Sequence, residues 1–197
     1  MAPRLEPLSE ADDYSLIRRV AGHDRQAFEV LYRRYARRLA GYLGKFLQQP
    51  ELVEEVLDDV MLVVWQNAAR FNYQSRLSTW IFGIAYHKAL KAMSHSARPE
   101  PLPQSPAWNE DDDPAVMLSR QEQERAITEA LESLSPAHRV VVELTFYHAR
   151  SYQEIATITG CPVNTVKTRM FHARPRLANA LTSLDLRHAA EKQEEAE

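Results

Sequence analysis

Apolar residues in the first half of the chain recur at steps of three and four. Between Asp24 and Leu47, the positions Phe28, Leu31, Tyr35, Leu39, Tyr42 and Phe46 follow this spacing, with Arg33, Arg34, Arg37 and Arg38 on the opposite faces. That is the period of an α-helix with one buried stripe. Pro50 suits the start of a second helix, since proline at the first helical position gives up no hydrogen bond. Its inward row is Val53, Val56, Leu57, Val60 and Val64. Asn72, Tyr73, Gln74 and Ser75 break the pattern, so Arg70 to Arg76 reads as a loop. Ser78 is then placed to cap a third helix running to about Ser94. No strand alternation persists, and this half reads as all-α.

Helical period stops at Arg98. Four prolines in the eight residues from Pro99 to Pro106, followed by Glu110, Asp111, Asp112, Asp113 and Pro114, describe a linker over residues 97–116. The period resumes near Met117 and runs to Leu134, after which Ser135–Pro136 gives a capping residue and a proline at the first helical position. That helix carries Val140, Val141, Leu144 and Tyr147. The expectation is two small helical domains, residues 14–96 and 117–184, joined by a Pro-rich acidic linker. A polar tail, residues 185–197, is expected to be frayed.

Within the second domain lies a denser set of signals. Ser151-Tyr152-Gln153-Glu154 fits a capping box, in which serine and glutamate satisfy each other's amides at a helix start. Gly160 supplies the left-handed residue of a tight turn, and Pro162 bars continuation of the first helix. Asn164 is expected to cap the next helix, whose inward stripe is Val166, Met170, Ala173 and Leu177. Asn164, Thr165, Thr168, Phe171 and His172 then point outward, flanked by Lys167, Arg169, Arg174 and Arg176. This is a helix-turn-helix with a basic second helix. Such a helix fits a DNA major groove, its polar residues reaching base edges while Arg and Lys neutralise phosphates. An outward Phe171 suits a thymine methyl better than it suits water.

Charge at first argues against nucleic acid, since the whole chain is −3. Division along the chain reverses that reading. Residues 15–96 carry +5 and residues 136–184 carry +4, separated by −6 over residues 97–135. Two basic blocks flank an acidic spacer. In the first block, Trp80, Gly83, His87 and Lys91 share a helix face, with Lys88 and His95 beside it and the polar loop before it. Aromatic groups beside cations suit single-stranded DNA, where bases stack and cations follow the backbone. Glu55, Asp58 and Asp59 lie together on the preceding helix and favour a basic partner.

Other chemistry finds little support. Five glycines include no phosphate-loop pattern, and the seven histidines show no zinc-ligand spacing. No enzymatic activity, metal or cofactor is expected. The single cysteine, Cys161, forms no internal disulfide and fits a reducing compartment. The longest apolar run, Val60 to Trp65, is too short to cross a bilayer, and no signal-peptide pattern opens the chain. A cytoplasmic protein without membrane insertion is expected.

The run from Leu134-Ser135-Pro136 through Ser151-Tyr152-Gln153-Glu154-Ile155-Ala156 to Gly160-Cys161-Pro162-Val163-Asn164-Thr165-Val166-Lys167-Thr168-Arg169-Met170-Phe171-His172-Ala173-Arg174 closely resembles region 4 of sigma-70-family factors. It is most similar to the extracytoplasmic-function (group IV) subfamily. Asp24-Arg25-Gln26-Ala27-Phe28-Glu29-Val30-Leu31-Tyr32, Glu54 to Asp59, and Phe71 through Ser75-Arg76-Leu77-Ser78-Thr79-Trp80-Ile81-Phe82-Gly83-Ile84-Ala85 are similar to region 2. Two matches in the right order are far more specific than either. The resemblance implies a promoter-specificity subunit of RNA polymerase, serving a stress-response regulon. Its −35 contacts would be Asn164, Thr165, Lys167, Thr168, Phe171, His172 and Arg174. Its −10 contacts would be Asn72, Ser75, Trp80, His87, Lys88 and Lys91, where family members melt the duplex and capture an extruded base. Many relatives carry Asn at the position of His87.

Glu55, Asp58 and Asp59 would meet the β′ clamp helices of core polymerase, with the β flap as a further contact. Promoter DNA and an anti-sigma factor are the other implied partners. The acidic linker would thread the RNA path of the polymerase. One departure is Pro175, where the family usually continues the helix; a kink is expected there, which weakens the carry-over at Arg176. The rival reading is an autonomous helix-turn-helix regulator with a helical sensor domain. It leaves the Trp80 and Glu55/Asp58/Asp59 faces unexplained.

Overall fold

A computed structural model of the chain describes residues 10–47, 49–95, 129–131 and 133–194. Among these no β-strand occurs, and the helices fall into two compact units. The expected linker and most of the helix expected over residues 117–134 lie outside the described residues.

The first unit is made by α1 (Glu10–Ala21), α2 (Arg25–Leu43), α3 (Pro50–Asn67), a short 3-10 turn (Ala68–Arg70) and α4 (Leu77–His95). Asp24 starts α2, its carboxylate accepting the Ala27 amide at 3.0 Å. Arg19 holds the same carboxylate at 2.8 Å. The Ala27 amide first, and the Arg19 hydrogen bond next, hold the Asp24 carboxyl below its usual range. The predicted stripe on α2 is real but shifted: Ala27, Leu31, Tyr35, Leu39, Tyr42 and Leu43 are buried, and Phe28 is half-buried. The helix ends at Gly44, so Phe46 lies in the following turn and meets the Tyr42 ring edge-on at 5.1 Å.

Pro50 stands at the start of α3, as its fixed φ allows, and Val56, Leu57, Val60, Met61 and Val64 are buried. From α4 the core receives Leu77, Ile81, Phe82, Ala85 and Ala89. Each large, fully buried apolar side chain among these contributes roughly 1.5–3 kcal/mol. α1 is joined to α2 by a polar set, in which buried Asp13 accepts Arg34 at 2.9 Å and the Tyr35 hydroxyl. Removing one side of such a pair leaves a charge without compensation and costs about 3–5 kcal/mol.

Further along the chain lie α5 (Pro136–Phe146), α6 (Tyr152–Thr159) and α7 (Val163–Glu194); α5 and α7 belong to the second unit with the start of α6, and residues 156–160 are grouped with the first. Ser135 precedes Pro136 as predicted, but its hydroxyl bonds the His138 ring rather than a backbone amide. α5 packs against α7, burying Val140, Val141, Leu144, Val166, Met170 and Ala173. Tyr147 closes α5 and is exposed rather than inward.

Three expectations are corrected here. Ser78 does not cap α4; the helix begins one residue earlier, the Arg76 carbonyl accepting the Trp80 amide at 3.2 Å, and Ser78 is buried in the first turn. Asn164 does not cap α7 either. The Pro162 carbonyl accepts the Thr165 and Val166 amides at 2.9 and 3.2 Å, so Asn164 falls inside the first turn. Proline has its φ preset and no amide to lose, so it serves at a helix entrance without a side-chain cap. The tail is the third, because α7 continues to Glu194 instead of fraying after Leu184. Ala189, Ala190, Glu191, Lys192 and Gln193 are all strong helix formers. The same helix runs unbroken through Pro175.

Candidate nucleic-acid interfaces

The helix-turn-helix is built from local signals, each visible in its hydrogen bonds. Glu154 accepts the Ser151 amide at 2.9 Å, and the Ser151 hydroxyl accepts the Glu154 amide at 3.2 Å, closing the predicted capping box. Buried Arg150 adds a 3.2 Å pair to the same carboxylate. Ile155 and Ile158 are buried, and Gly160 turns the chain at φ +66°. A residue with a Cβ disfavours that backbone.

α7 then presents the expected outward face. Asn164, Lys167, Thr168, Phe171, His172 and Arg174 are exposed, and Thr165 is half-buried. Phe171 is 72% exposed, with no core to explain it. The face is lightly tethered. Thr168 donates to the Asn164 carbonyl of its own helix at 2.9 Å, and Arg174 reaches the Tyr152 hydroxyl at 3.5 Å. Arg169 turns back toward the Cys161 sulfur at 3.6 Å. His172 meets the His138 ring at 6.3 Å. His138 is held below the usual histidine range, chiefly by burial and then by the charge of Arg176.

The predicted −10 residues occupy a different kind of surface. Asn72 lies on the loop, where its side-chain oxygen accepts the Gln74 amide at 3.1 Å, and Ser75 donates to the Arg76 carbonyl at 3.4 Å. Trp80 is half-buried and packs on Phe71 with ring centroids 5.4 Å apart. His87 and Lys91 are exposed further along α4, and the His87 ring meets Tyr86 at 5.3 Å. Lys88 is paired with Asp59 at 2.8 Å. That pair joins two residues the sequence assigned to different partners.

Glu55, Asp58 and Asp59 are exposed on α3, as expected. Asp58 also accepts the Tyr32 hydroxyl at 3.1 Å. Burial, and then that bond, raise the Tyr32 phenol above its usual range. Beside these acids lies an open groove that the sequence reading missed. Phe28, Met61, Leu62 and Trp65 form its apolar part, with Arg25, Tyr32, Asp58 and Asp59 at its polar margin. Leu62 is 50% exposed. The signal was present, since Leu62 and Trp65 are apolar positions on α3 outside its inward row. Tyr14, Phe71 and Tyr73 were missed as well, and they form one ring cluster around the loop.

Among the described residues, no group of three or more His, Cys, Asp or Glu side chains is placed to hold a metal ion. No helix there is long and apolar enough to cross a membrane.

Comparison with known proteins bears on both units. The chain matches the family model Sigma-70 region 2 over residues 31–98 and Sigma-70, region 4 over residues 124–177. It is 31% identical over 170 residues to the ECF RNA polymerase sigma factor RpoE of Cereibacter sphaeroides, spanning 84% of this chain and 93% of that protein. It is 27% identical over 190 residues to the RNA polymerase sigma-H factor of Pseudomonas aeruginosa, spanning 90% and 97%. Its fold is similar to that of CnrH, solved with the cytosolic domain of CnrY, at a TM-score of 0.67 and 23% identity, over 87% of this chain and 98% of that one. It is also similar to the sigma factor RpoE of Bartonella quintana, solved with the anti-sigma factor NepR, at a TM-score of 0.63 and 22% identity, over 79% and 96%.

Proposed function

The chain belongs to the extracytoplasmic-function branch of the sigma-70 family, as an RNA polymerase sigma factor, and from that premise we propose how its two units divide promoter recognition. α7 reads the −35 element as duplex, with Lys167, Thr168, Phe171 and His172 toward base edges and Asn164, Thr165 and Arg174 positioned for bases or backbone. The carrying observation is the exposed Phe171 amid polar and basic neighbours, on a helix whose opposite face is buried. That arrangement favours a groove over a bundle surface.

The first unit binds core polymerase through Glu55, Asp58 and Asp59 on α3, against the basic β′ clamp helices. The apolar groove beside them adds non-polar area, which charge pairs at an exposed face would not supply. The loop and α4 engage the −10 element after opening, with Asn72, Ser75, Trp80, His87, Lys88 and Lys91 nearest the unpaired strand. Unstacking costs a few kcal/mol per base, and aromatic and cationic contacts offset it. The linker over residues 97–116 threads the RNA path, and an anti-sigma factor holds the chain inactive by covering the polymerase-binding face. Relatives solved with anti-sigma partners motivate that last assignment. No covalent chemistry is assigned to the chain, which acts in the cytoplasm.

Run-off transcription with core enzyme on a random promoter library tests the scheme. Initiation should require the chain, and the selected promoters should share two separated elements. Tight binding of the isolated chain to one duplex site, with no gain from polymerase, would instead support an autonomous regulator.

A further inference from the structure

The +5 excess over residues 15–96 sits in one place. Residues 25–45, which hold α2 and the turn after it, carry Arg25, Arg33, Arg34, Arg37, Arg38 and Lys45 against the single acid Glu29, and the other cations of the segment are matched one for one by acids elsewhere in it. No promoter contact proposed above draws on this helix. Its inner side is explained by the fold, where Arg34 reaches buried Asp13 at 2.9 Å. Its outer side is not. Arg33, Arg37 and Gly41 follow one another at steps of four and are all exposed, so they form a row along the helix, with Arg38 half-buried at its border. Successive members stand about 6 Å apart along the axis. Arg33 pairs with Glu29 one turn away at 2.6 Å, but the two side chains are 76% and 60% exposed, and so open a pair is easily exchanged for another partner.

Gly41 is the unusual member of the row. It lies inside α2, where glycine is among the poorest helix formers, and no atom stands within 4 Å of the position its Cβ would take. Neither core packing nor a turn requires glycine there. Open space over a glycine lets a ligand come down onto the helix backbone. From Arg33 to Gly44 the helix exposes no large apolar side chain, which a protein partner would use at the centre of its interface. A phosphate chain needs only cations and close approach.

Resting on the reading of the chain as a promoter-binding subunit, we propose that the row Arg33, Arg37 and Gly41 on α2 takes the sugar-phosphate backbone of promoter DNA. This contact is blind to base sequence and separate from both the −35 and the −10 surfaces. Arg33 and Arg37 each meet a phosphate, Arg33 leaving Glu29 to do so, and Gly41 admits the strand where a side chain would hold it off.

The test uses the full chain assembled with core polymerase and a promoter fragment selected by run-off transcription, with affinity measured across a salt series. Arg33→Gln/Arg37→Gln should bind about tenfold more weakly at low salt and lower the salt-dependence slope by about 2. Arg33→Lys/Arg37→Lys, which keeps both charges, should retain the slope. The same losses should appear on a fragment whose sequence outside the two elements is scrambled. Core binding and the melting temperature should not change. Gly41→Leu fills the open space with a good helix former, so it should melt no lower than wild type yet bind the promoter about threefold more weakly. A slope unchanged in Arg33→Gln/Arg37→Gln, or Gly41→Leu binding as tightly as wild type, overturns the proposal and leaves the row a solvated face. A loss that appears equally in core binding also overturns it, assigning the row to an acidic protein surface. A wild-type holoenzyme that binds the promoter no better than core enzyme alone overturns the promoter-binding reading as well.

Discussion

The two surfaces proposed to face DNA are built on opposite plans. On α7 the outward side chains are exposed and lightly tethered, Phe171 most of all, while the inward row is fully buried. Around α4 the corresponding groups are knitted into the unit: Trp80 packs on Phe71, Lys88 pairs with Asp59, and Asn72 holds its own loop. The difference follows from what each surface is proposed to meet. A duplex arrives with its shape formed, so an open helix face can be pressed into its groove. Unpaired strand has no shape of its own, so the protein must supply rigid rings and give up existing contacts to hold it. On one side binding adds to the fold. On the other it rearranges part of it.

Trp80 should separate the plans most sharply. Being half-buried, its replacement by alanine should cost stability, about 1–3 kcal/mol against the ~3–5 of a fully buried tryptophan. Promoter opening, read by permanganate reactivity of the −10 thymines, should fall as well. Phe171→Ala should do only one of these things. At 72% exposure it should leave the melting temperature of the chain within the effect of about 0.5 kcal/mol usual for surface changes. Affinity of the holoenzyme for a −35 duplex should drop roughly tenfold, a loss of about 1.4 kcal/mol. If Phe171→Ala destabilises the chain as much as Trp80→Ala does, the comparison fails, and Phe171 belongs to the core.

How much of this was legible in the sequence depends on the range of the interaction. The capping box at Ser151 and Glu154, the turn at Gly160 and the stripe Val166, Met170, Ala173 involve neighbours within a turn or two, and all are present. The caps fall at Arg76 and Pro162, two residues before Ser78 and Asn164, because a backbone carbonyl accepts the first amides whatever the later side chains prefer. The extension of α7 to Glu194 shows helix propensity prevailing where polarity alone suggested fraying. The surface proposed for the −10 element was only half legible. Trp80 and the loop amides could be seen, but Tyr14 reaches Tyr73 from another helix, and no periodicity reports such a meeting. The groove at Phe28, Leu62 and Trp65 lay hidden for the same reason, being shared between α2 and α3.

The smallest expected effect probes how the rearrangement begins. Lys88 and Asp59 are 2.8 Å apart, with side chains 31% and 51% exposed. A pair so open is worth at most about 1 kcal/mol, and salt screens it further. Its weakness is what gives it a use. Asp59 is proposed to face the polymerase and Lys88 the DNA, so a basic group of the polymerase that takes Asp59 releases Lys88 for a phosphate. Asp59→Asn should therefore barely change thermal stability and should weaken binding to core polymerase. Lys88→Ala should leave core binding intact, weaken holoenzyme binding to a fork, and lower the salt-dependence slope by about 1. A double-mutant cycle gives the decisive number. Coupling between the two positions should be a few tenths of a kcal/mol in the isolated chain, and near zero in the holoenzyme bound to a fork, because by then each has changed partner. Coupling that survives unchanged in the complex would make the pair a static surface contact, and the surface around α4 as fixed in its bonding as α7.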